Sequence, residues 1–279
     1  MKIKIVTDST ADLPSALVEE LGITVVPAYV RFGKDVYRDQ VDINEDEFYQ
    51  KLLSDPIHPG TTPPTPQDFA DVYWKLSQES DGIISIHVSG RLSATYNSAL
   101  LGKELLETEF PIEVVDSQLV TMGLGLLVIA AHTLTNSEKS LLQVVEKVKQ
   151  TIPTIHLLGL FDTLKYLALG GRIGKAKALL GSVLSVKPIL AMKDGELEPA
   201  GQVRTRAKGI DELFDFIKKT TDIQDLAIVH STTPDEAQDL AERISSIFPK
   251  ERTRLARLGP VLGVHGGPGV LFIAVRSKN

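Results

Sequence analysis

The sequence contains no cysteine, which excludes disulfide bonds, thiolate zinc sites and cysteine nucleophiles. It also lacks a long basic run, and its net charge of −6 disfavours a general nucleic-acid-binding function. The longest apolar run, Gly123 to Leu134, is too short to span a bilayer. The first residues predict a strand rather than the apolar core of a signal peptide. We therefore expect a soluble, cytoplasmic protein with at most transient membrane contact.

Motifs for nucleotide and metal binding are missing as well. The segment "GGRIGKAKA", residues 170–178, resembles a phosphate loop, but Ala176 follows Lys175 where that motif needs Ser or Thr. No GxGxxG follows a predicted strand, and the sequence has no HExxH or EF-hand pattern. The residues therefore indicate neither a metal site nor a nucleotide cofactor.

Apolar segments alternate with amphipathic segments through the first half of the chain. This alternation predicts strands near residues 2–6, 24–31, 82–88 and 112–115, in a mostly parallel sheet with helices on both faces. In the second half, Asp194-Gly195 lies between two extended arms and predicts a β-hairpin, hence a mixed sheet. We predict an α/β protein with an N-terminal three-layer α/β/α domain (1–153) and a C-terminal α/β domain (154–279).

Hydroxyl groups recur where predicted strands end, which is where open α/β sheets bind ligands. Asp8-Ser9-Thr10 follows the first strand, and Ser89 and Ser93 follow the strand at 82–88. Thr61 and Thr62 lie in a proline-rich segment, 54–66, that must be extended. His265 lies among glycines in "GVHGGPG". Each feature also has a structural interpretation as a helix cap, a surface connector or a packed histidine.

One hydrolytic arrangement is compatible with these residue types. Ser93 would be the nucleophile and His265 the base, with Asp8 or Asp116 orienting the imidazole. The turn at Ser93 lacks the G-x-S-x-G elbow of the α/β-hydrolases. A serine hydrolase is therefore the alternative hypothesis rather than the leading one.

Several segments occur in an order that resembles the DegV family of bacterial proteins. They are "KIVTDSTADLP" (4–14), "TTPPTP" (61–66), "VSGRLSATYNSA" (88–99), "VVDS" (114–117), "GGRI" (170–173) and "HGGPG" (265–269). Each segment is weakly specific alone, but their common order along nearly the whole chain is specific. The resemblance implies a two-domain α/β fold that binds one long-chain fatty acid.

The resemblance also implies a role and a site. Proteins of this kind present the bound acid to a separate, ATP-using fatty acid kinase subunit, which makes the acyl phosphate for phospholipid metabolism. The chain itself would then have no catalytic residue and no cofactor. The implied carboxylate site, at the interdomain cleft, consists of Thr61, Thr62, Ser93, Ala94, His265 and Gly266. Arg172 and Arg204 match basic positions for phosphate or partner contact.

Two departures from the family pattern lie beside Ser93. Gly90 replaces a serine and Ala94 replaces a glycine, so we expect both to influence which ligand binds. The apolar segments 124–129 and 179–184 are candidates for the wall of the acyl tunnel, with ordinary core packing as the alternative.

Overall fold

Strands and helices alternate through the first half of the chain, as the sequence predicts. The computed structural model describes residues 1–106, 109–138, 140–179 and 186–278. The elements of this half are β1 (Ile3–Asp8), α1 (Ser15–Leu21), β2 (Thr24–Val26), β3 (Tyr29–Phe32), β4 (Asp35–Arg38), α2 (Glu45–Ser54), β5 (Gly60–Thr62), α3 (Pro66–Ser77), β6 (Gly82–His87), α4 (Thr95–Glu104), β7 (Ile112–Asp116), α5 (Met122–Ser137) and α6 (Leu141–Thr151).

Four of these strands form a parallel sheet in the order β2-β1-β6-β7. Successive residues of a strand point to opposite faces, so both faces of a buried strand need apolar side chains. On β1, Ile5 joins the core that contains α5 and α6, whereas Val6 packs with Phe69 of α3 and Ala99 of α4. The predicted three-layer α/β/α arrangement is therefore confirmed.

The predicted strand at 24–31 is two strands in two different sheets. β2 joins the parallel sheet, whereas β3 pairs with β4 and β5 in an antiparallel sheet of order β4-β3-β5. Pro27 lies between them and has no N–H for a strand ladder, so the chain leaves the first sheet there. The proline-rich segment is extended as predicted, and its residues 60–62 pair with β3.

The second half contains a six-stranded mixed sheet. Its elements are β8 (Ile155–Leu160), α7 (Lys165–Leu169), β9 (Lys187–Lys193), β10 (Glu196–Val203), α8 (Arg206–Lys219), β11 (Ile223–His230), α9 (Pro234–Ile244), β12 (Thr253–Arg257), α10 (Pro260–Gly266) and β13 (Leu271–Ser277). The strand order is β10-β9-β8-β13-β11-β12, and only β11 and β12 run parallel. The predicted hairpin, β9 with β10, and the predicted mixed sheet are confirmed.

Helix α5 lies between the two large sheets. Its first ten residues, Met122 to Ala131, are all buried, which explains why its sequence shows no polar face. It contacts β1 and β6 on one side and β8, β11 and β13 on the other, so the two halves share one core. The strands of the parallel sheet all precede residue 117 and those of the six-stranded sheet all follow residue 154. A domain boundary at 153/154 stays a prediction. None of the described helices combines the length and apolar character needed to cross a membrane.

The sequence patterns missed α10, which contains His265. The sequence patterns predict no helix at "GVHGGPG", but Pro260 begins a helix of seven residues and Gly267, at φ 74°, ends it. Gly263 faces Phe48, where a Cβ would lie 2.4 Å from the ring, so this glycine permits close packing of α10 against α2.

Asp39 is a buried carboxyl group beside the start of α10. Its side chain is 1% exposed, and neither carboxyl oxygen has a hydrogen-bond partner of normal geometry. Burial raises the pKa of Asp39 from 3.8 to about 7, and the Ser9 hydroxyl and the Val261 N–H oppose this rise only in part. The folded chain therefore retains a proton that the unfolded chain releases at lower pH.

We expect Asp39→Asn to flatten the pH dependence of stability. Between the two pKa values the unfolded state binds fewer protons, so the free energy of unfolding falls as the pH rises from about 4 to about 7. The neutral amide removes this contribution. Urea unfolding measured at about pH 5 and about pH 8 gives the free energy of unfolding at each pH. Between these two values it should fall less for the variant than for the wild type. An equal decrease of the free energy of unfolding in both proteins would contradict a raised pKa of Asp39.

Candidate functional site

A cavity lies between the two large sheets, beyond the carboxyl ends of β1, β6 and β7, where parallel sheets bind ligands. It encloses about 780 Å³, including the part that opens to solvent. Its apolar lining is Ala28, Pro63, Val88, Leu92, Val120, Phe161, Leu167, Leu197, Leu258, Val261, Leu262 and Phe272. Its other lining residues are Thr10, Thr61, Thr62, Ser93, Thr95, Thr121, Arg172, His265 and Gly266. A mainly apolar lining with a few polar groups is typical of small-molecule sites.

Thr61 and His265 meet in the wall of this cavity although 204 positions separate them in the chain. The Thr61 Oγ1 atom lies 3.0 Å from the His265 Nε2 atom. Thr61 is held by β5, which pairs with β3, and His265 is held by α10. Thr62, Ser93 and Gly266 line the same cavity. We call Thr61, Thr62, Ser93 and His265 the polar end of the cavity.

The imidazole of His265 is neutral at neutral pH. Burial, the nearby Arg172 guanidinium and His58, in that order, lower the pKa of His265 from 6.5 to about 4. Its Nδ1 atom is buried and has no hydrogen-bond partner among the described residues. Gly170 leaves room for this atom, since a Cβ there would lie 2.2 Å from Nδ1. A neutral imidazole carries one N–H, so it can donate one hydrogen bond at this end.

Ser93 precedes α4 and forms a pair with Thr95. The Ser93 Oγ and Thr95 Oγ1 atoms are 2.8 Å apart, and the Thr95 N–H also donates to Ser93 Oγ. The two hydroxyls have two protons and share one bond, so one proton remains for another acceptor. Ser93 is therefore both a helix-start residue and a possible ligand contact.

Thr10 and Thr121 are two further threonines in the cavity wall, which we call the inner threonines. The Thr10 hydroxyl donates to Asp8 Oδ1 at 2.5 Å, and the Thr121 hydroxyl donates to Asp12 Oδ2 at 2.6 Å. Both carboxyl groups are buried, with exposures of 0% and 4%. The Thr10 and Thr121 hydroxyl protons are thus directed at carboxyl oxygens and are not free for an anion. For Thr121 this holds while Asp12 is ionised, and burial raises the pKa of Asp12 well above its ordinary value.

Asp8 also anchors a buried hydrogen-bonded series behind the cavity. His87 Nδ1 lies 3.0 Å from Asp8 Oδ2, Ser85 Oγ lies 2.6 Å from His87 Nε2, and the Tyr73 hydroxyl donates to Ser85 Oγ. The residue types match those of a hydrolytic triad, but all four side chains are fully buried. A substrate has no access to Ser85, so the series ties β1, β6 and α3 together.

The structure does not join the residues of the hydrolase hypothesis. Ser93 is bonded to Thr95, His265 to Thr61, and Asp8 to His87. Asp116 accepts from the backbone N–H groups of Gly90 and Gln118. Since the Nδ1 atom of His265 has no partner, no carboxylate orients this imidazole as a base requires.

Ala94 does not line the cavity, contrary to its assignment among the ligand contacts. It precedes α4 with an exposed side chain at φ −76°, a conformation open to any residue, so its replacement of glycine leaves the cavity unchanged. Gly90 lies outside the cavity too, and a Cβ there would lie 3.0 Å from Asp116 Oδ2. Both line a neighbouring groove that shares Leu92, Ser93, Arg172 and Leu197 with the cavity.

The two arginines of the predicted site, Arg172 and Arg204, lie in different parts of the structure. Arg172 lines both the cavity and the neighbouring groove, and its Nε and Nη1 atoms donate to the carbonyls of Leu92 and Gly170. Within the described part of the chain it forms no ion pair with a carboxylate. Arg204 is exposed in the turn between β10 and α8 and does not line the cavity.

The structure supports the core-packing explanation for the two apolar segments that were candidates for the tunnel wall. Residues 124–129 are buried in α5 and belong to the shared core rather than to the cavity lining. Leu179 packs against the same core, and residues 180–184 lie outside the described residues. The apolar lining comes instead from strand ends and from α10. Periodicity marks buried residues but does not tell a core from a cavity wall.

Thr95 and Thr121 are cavity residues that the sequence patterns did not indicate, whereas Thr10 belongs to the hydroxyl cluster after the first predicted strand. Thr95 lies two positions after Ser93 at the start of α4, and Thr121 lies just before the buried helix α5. Their positions after β6 and β7, at the edge where ligands bind, were the available signal. The described residues contain no cluster of acidic and histidine side chains that could hold a metal ion.

We expect Arg172→Gln to raise the pKa of His265 above about 4. Removing the guanidinium removes a positive charge that disfavours the imidazolium form. Histidine-selective NMR titration of the ligand-free protein measures the midpoint directly. Arg204→Gln is the matched control and should leave it unchanged. An identical midpoint in Arg172→Gln and the wild type would contradict the stated cause.

Comparison with known proteins agrees with this architecture. The model of the DegV family of uncharacterised proteins matches residues 2–278. A DegV domain-containing protein of Caldanaerobacter subterraneus is 35% identical over 97% of this chain and 98% of its own length. A fatty-acid-binding DegV family protein from Thermus thermophilus superposes with a TM-score of 0.92 at 34% identity, covering both chains completely. A stearic-acid-binding protein from Eubacterium ventriosum gives 0.88 at 27% identity over 98% of each chain. This chain belongs to the DegV family.

Proposed function

We propose that this chain binds one long-chain fatty acid, with the carboxylate at the polar end and the acyl chain in the apolar part of the cavity. The observation that carries the proposal is one cavity whose lining combines hydroxyl groups and an imidazole with a larger number of apolar side chains. The fatty acids bound by the Thermus thermophilus and Eubacterium ventriosum relatives support the same ligand class.

The distribution of hydroxyl protons supports this orientation of the ligand. A buried carboxylate needs donors, and the inner threonines have given theirs to Asp8 and Asp12. At the polar end, the pair of Ser93 and Thr95 has one proton to spare. The pair of Thr61 and His265 has another if the imidazole proton is on Nε2, because Nε2–H then donates to Thr61 and the threonine hydroxyl stays free.

Neutral donors suffice because the acyl chain supplies most of the affinity. Each buried CH₂ group contributes about 0.8 kcal/mol, so a long chain binds tightly without an ion pair at the carboxylate. The donors then select for a carboxylate and fix its position. Thr62 and Gly266 line the same cavity and complete the proposed site. Thr62 is exposed, so we assign it a smaller contribution.

We expect Thr61→Val, Ser93→Ala and His265→Ala each to weaken the binding of octadecanoic acid on the order of tenfold, about 1.4 kcal/mol. Each change removes a donor, or the partner of a donor, from the carboxylate. Isothermal titration with delipidated protein measures the dissociation constants. Ser137→Ala, an exposed hydroxyl at the end of α5, is the control. Wild-type affinity in all three site variants would show that the carboxylate binds elsewhere.

We propose further that the chain presents its fatty acid to a separate, ATP-using kinase subunit. The sequence has no phosphate loop that would let it transfer the phosphate alone. Arg172, at the cavity, and Arg204, exposed after β10, are the basic residues that we assign to phosphate or partner contact. A guanidinium suits both roles because it binds phosphate and carboxylate with paired N–H groups.

Arg204→Gln should lower acyl-phosphate formation by such a kinase without lowering the affinity for octadecanoic acid. The residue lies outside the cavity, so only partner contact is lost. The loaded chain is mixed with the kinase subunit and ATP, and the acyl phosphate is trapped with hydroxylamine. Lys218→Gln, exposed near the other end of α8, is the matched control. Equal rates for Arg204→Gln and the wild type would remove Arg204 from the proposed contact.

A further inference from the structure

Thr121 has a backbone conformation that β-branched residues rarely adopt. Its φ is 48° and its ψ is −144°, a region that is populated almost only by glycine. The residue is fully buried, lines the cavity and immediately precedes α5. Such a conformation persists only when surrounding contacts hold it, so the contacts of Thr121 identify what fixes this part of the cavity wall.

The contact that holds the Thr121 side chain is Asp12. The Thr121 hydroxyl donates to Asp12 Oδ2 at 2.6 Å, and the backbone N–H of Gly259 donates to Asp12 Oδ1 at 3.0 Å. Gly259 directly precedes Pro260, the first residue of α10. A Cβ at Gly259 would lie 2.9 Å from Asp12 Oδ1, so the close approach requires glycine at this position.

Asp12 therefore joins two walls of the cavity that come from different halves of the chain. Val120 and Thr121 line it just before α5, whereas Val261 and Leu262 line it from the first turn of α10. Asp12 itself does not line the cavity. The seven residues of α10 span about 9 Å, so this junction and His265 lie at opposite ends of the helix.

We propose that Asp12 is a positioning residue that sets the width of the cavity between Thr121 and α10, and thereby selects the shape of the acyl chain. The inference rests on the proposed fatty acid binding. A wall that one carboxyl group holds on both sides resists widening, and a straight chain needs less width than a bent one. A cis double bond bends the chain, and a bent chain needs more width than the held walls provide.

The experiment compares two acids of equal carbon number, octadecanoic acid and cis-9-octadecenoic acid. Asp12→Ala and Thr121→Val both remove the hydrogen bond, from opposite sides. In each variant the ratio of the two dissociation constants should shift toward the bent acid by roughly fivefold, the equivalent of one net hydrogen bond. Asp12→Asn can accept from Gly259 and donate to Thr121, so it should restore the wild-type ratio.

Asp225→Asn is the control for a purely structural effect. This carboxylate pairs with Arg276 and Arg254 in the six-stranded sheet and does not line the cavity. It should lower stability and leave the ratio unchanged. If Asp12→Ala does not fold, the ratio of dissociation constants measured for Thr121→Val tests the proposal. An unchanged ratio in the folded variants overturns the positioning role while fatty acid binding stands. A wild type that binds neither acid overturns the proposed function and the inference with it.

Discussion

The hydrogen bond between Thr61 and His265 is the contact on which the proposed site depends, because each partner belongs to a different part of the fold. Thr61 is placed by the small antiparallel sheet, and His265 is placed by α10. Val261 and Val264 of α10 pack into the core of that small sheet, so the helix and the strand are held by common apolar contacts. Burial and the charge of Arg172 keep the imidazole neutral, and the end of the cavity therefore offers hydrogen bonds without a full positive charge.

The hydroxyl groups that line the cavity also differ in whether their protons already form a hydrogen bond to a buried carboxyl group. Four threonines and one serine line the cavity in addition to Thr62, and residue type alone does not tell them apart. Asp8 and Asp12 take the protons of Thr10 and Thr121, while Ser93 and Thr95 are bonded to each other. Under the proposed function, this distribution gives the cavity a direction, with one end for a carboxylate and the rest for a hydrocarbon chain.

The sequence predicted the parts of the fold that depend on local pattern. The alternation in the first half and the turn at Asp194-Gly195 are local signals, and the parallel sheet and the hairpin follow from them. Pro27, which separates β2 from β3, is a local signal too, but the apolar residues on both sides of it give the pattern of one continuous strand. Helix α10 was not predicted because a glycine-rich segment is rarely helical. Here Gly263 permits close packing against Phe48.

The polar end could be predicted in part, because hydroxyls at strand ends and a histidine among glycines indicated its members and the resemblance to a family grouped them. Thr61, Ser93 and His265 line one cavity, whereas Ala94 lines only the neighbouring groove and Arg204 lies elsewhere on the surface. Neighbours in sequence, such as Ser93 and Ala94, diverge at the start of a helix because side chains there point in different directions. The strain at Thr121 and its bond to Asp12 depend on contacts across 109 positions, which no local pattern contains.

The central claim is that a fatty acid carboxylate binds at the polar end. Its most direct test is a crystal structure of the protein as purified, without added ligand. The account predicts elongated density in the cavity, with its forked end within hydrogen-bonding distance of Thr61 Oγ1 and Ser93 Oγ. Density whose forked end lies at Thr10 and Thr121, or a ligand with no acyl chain, would contradict it.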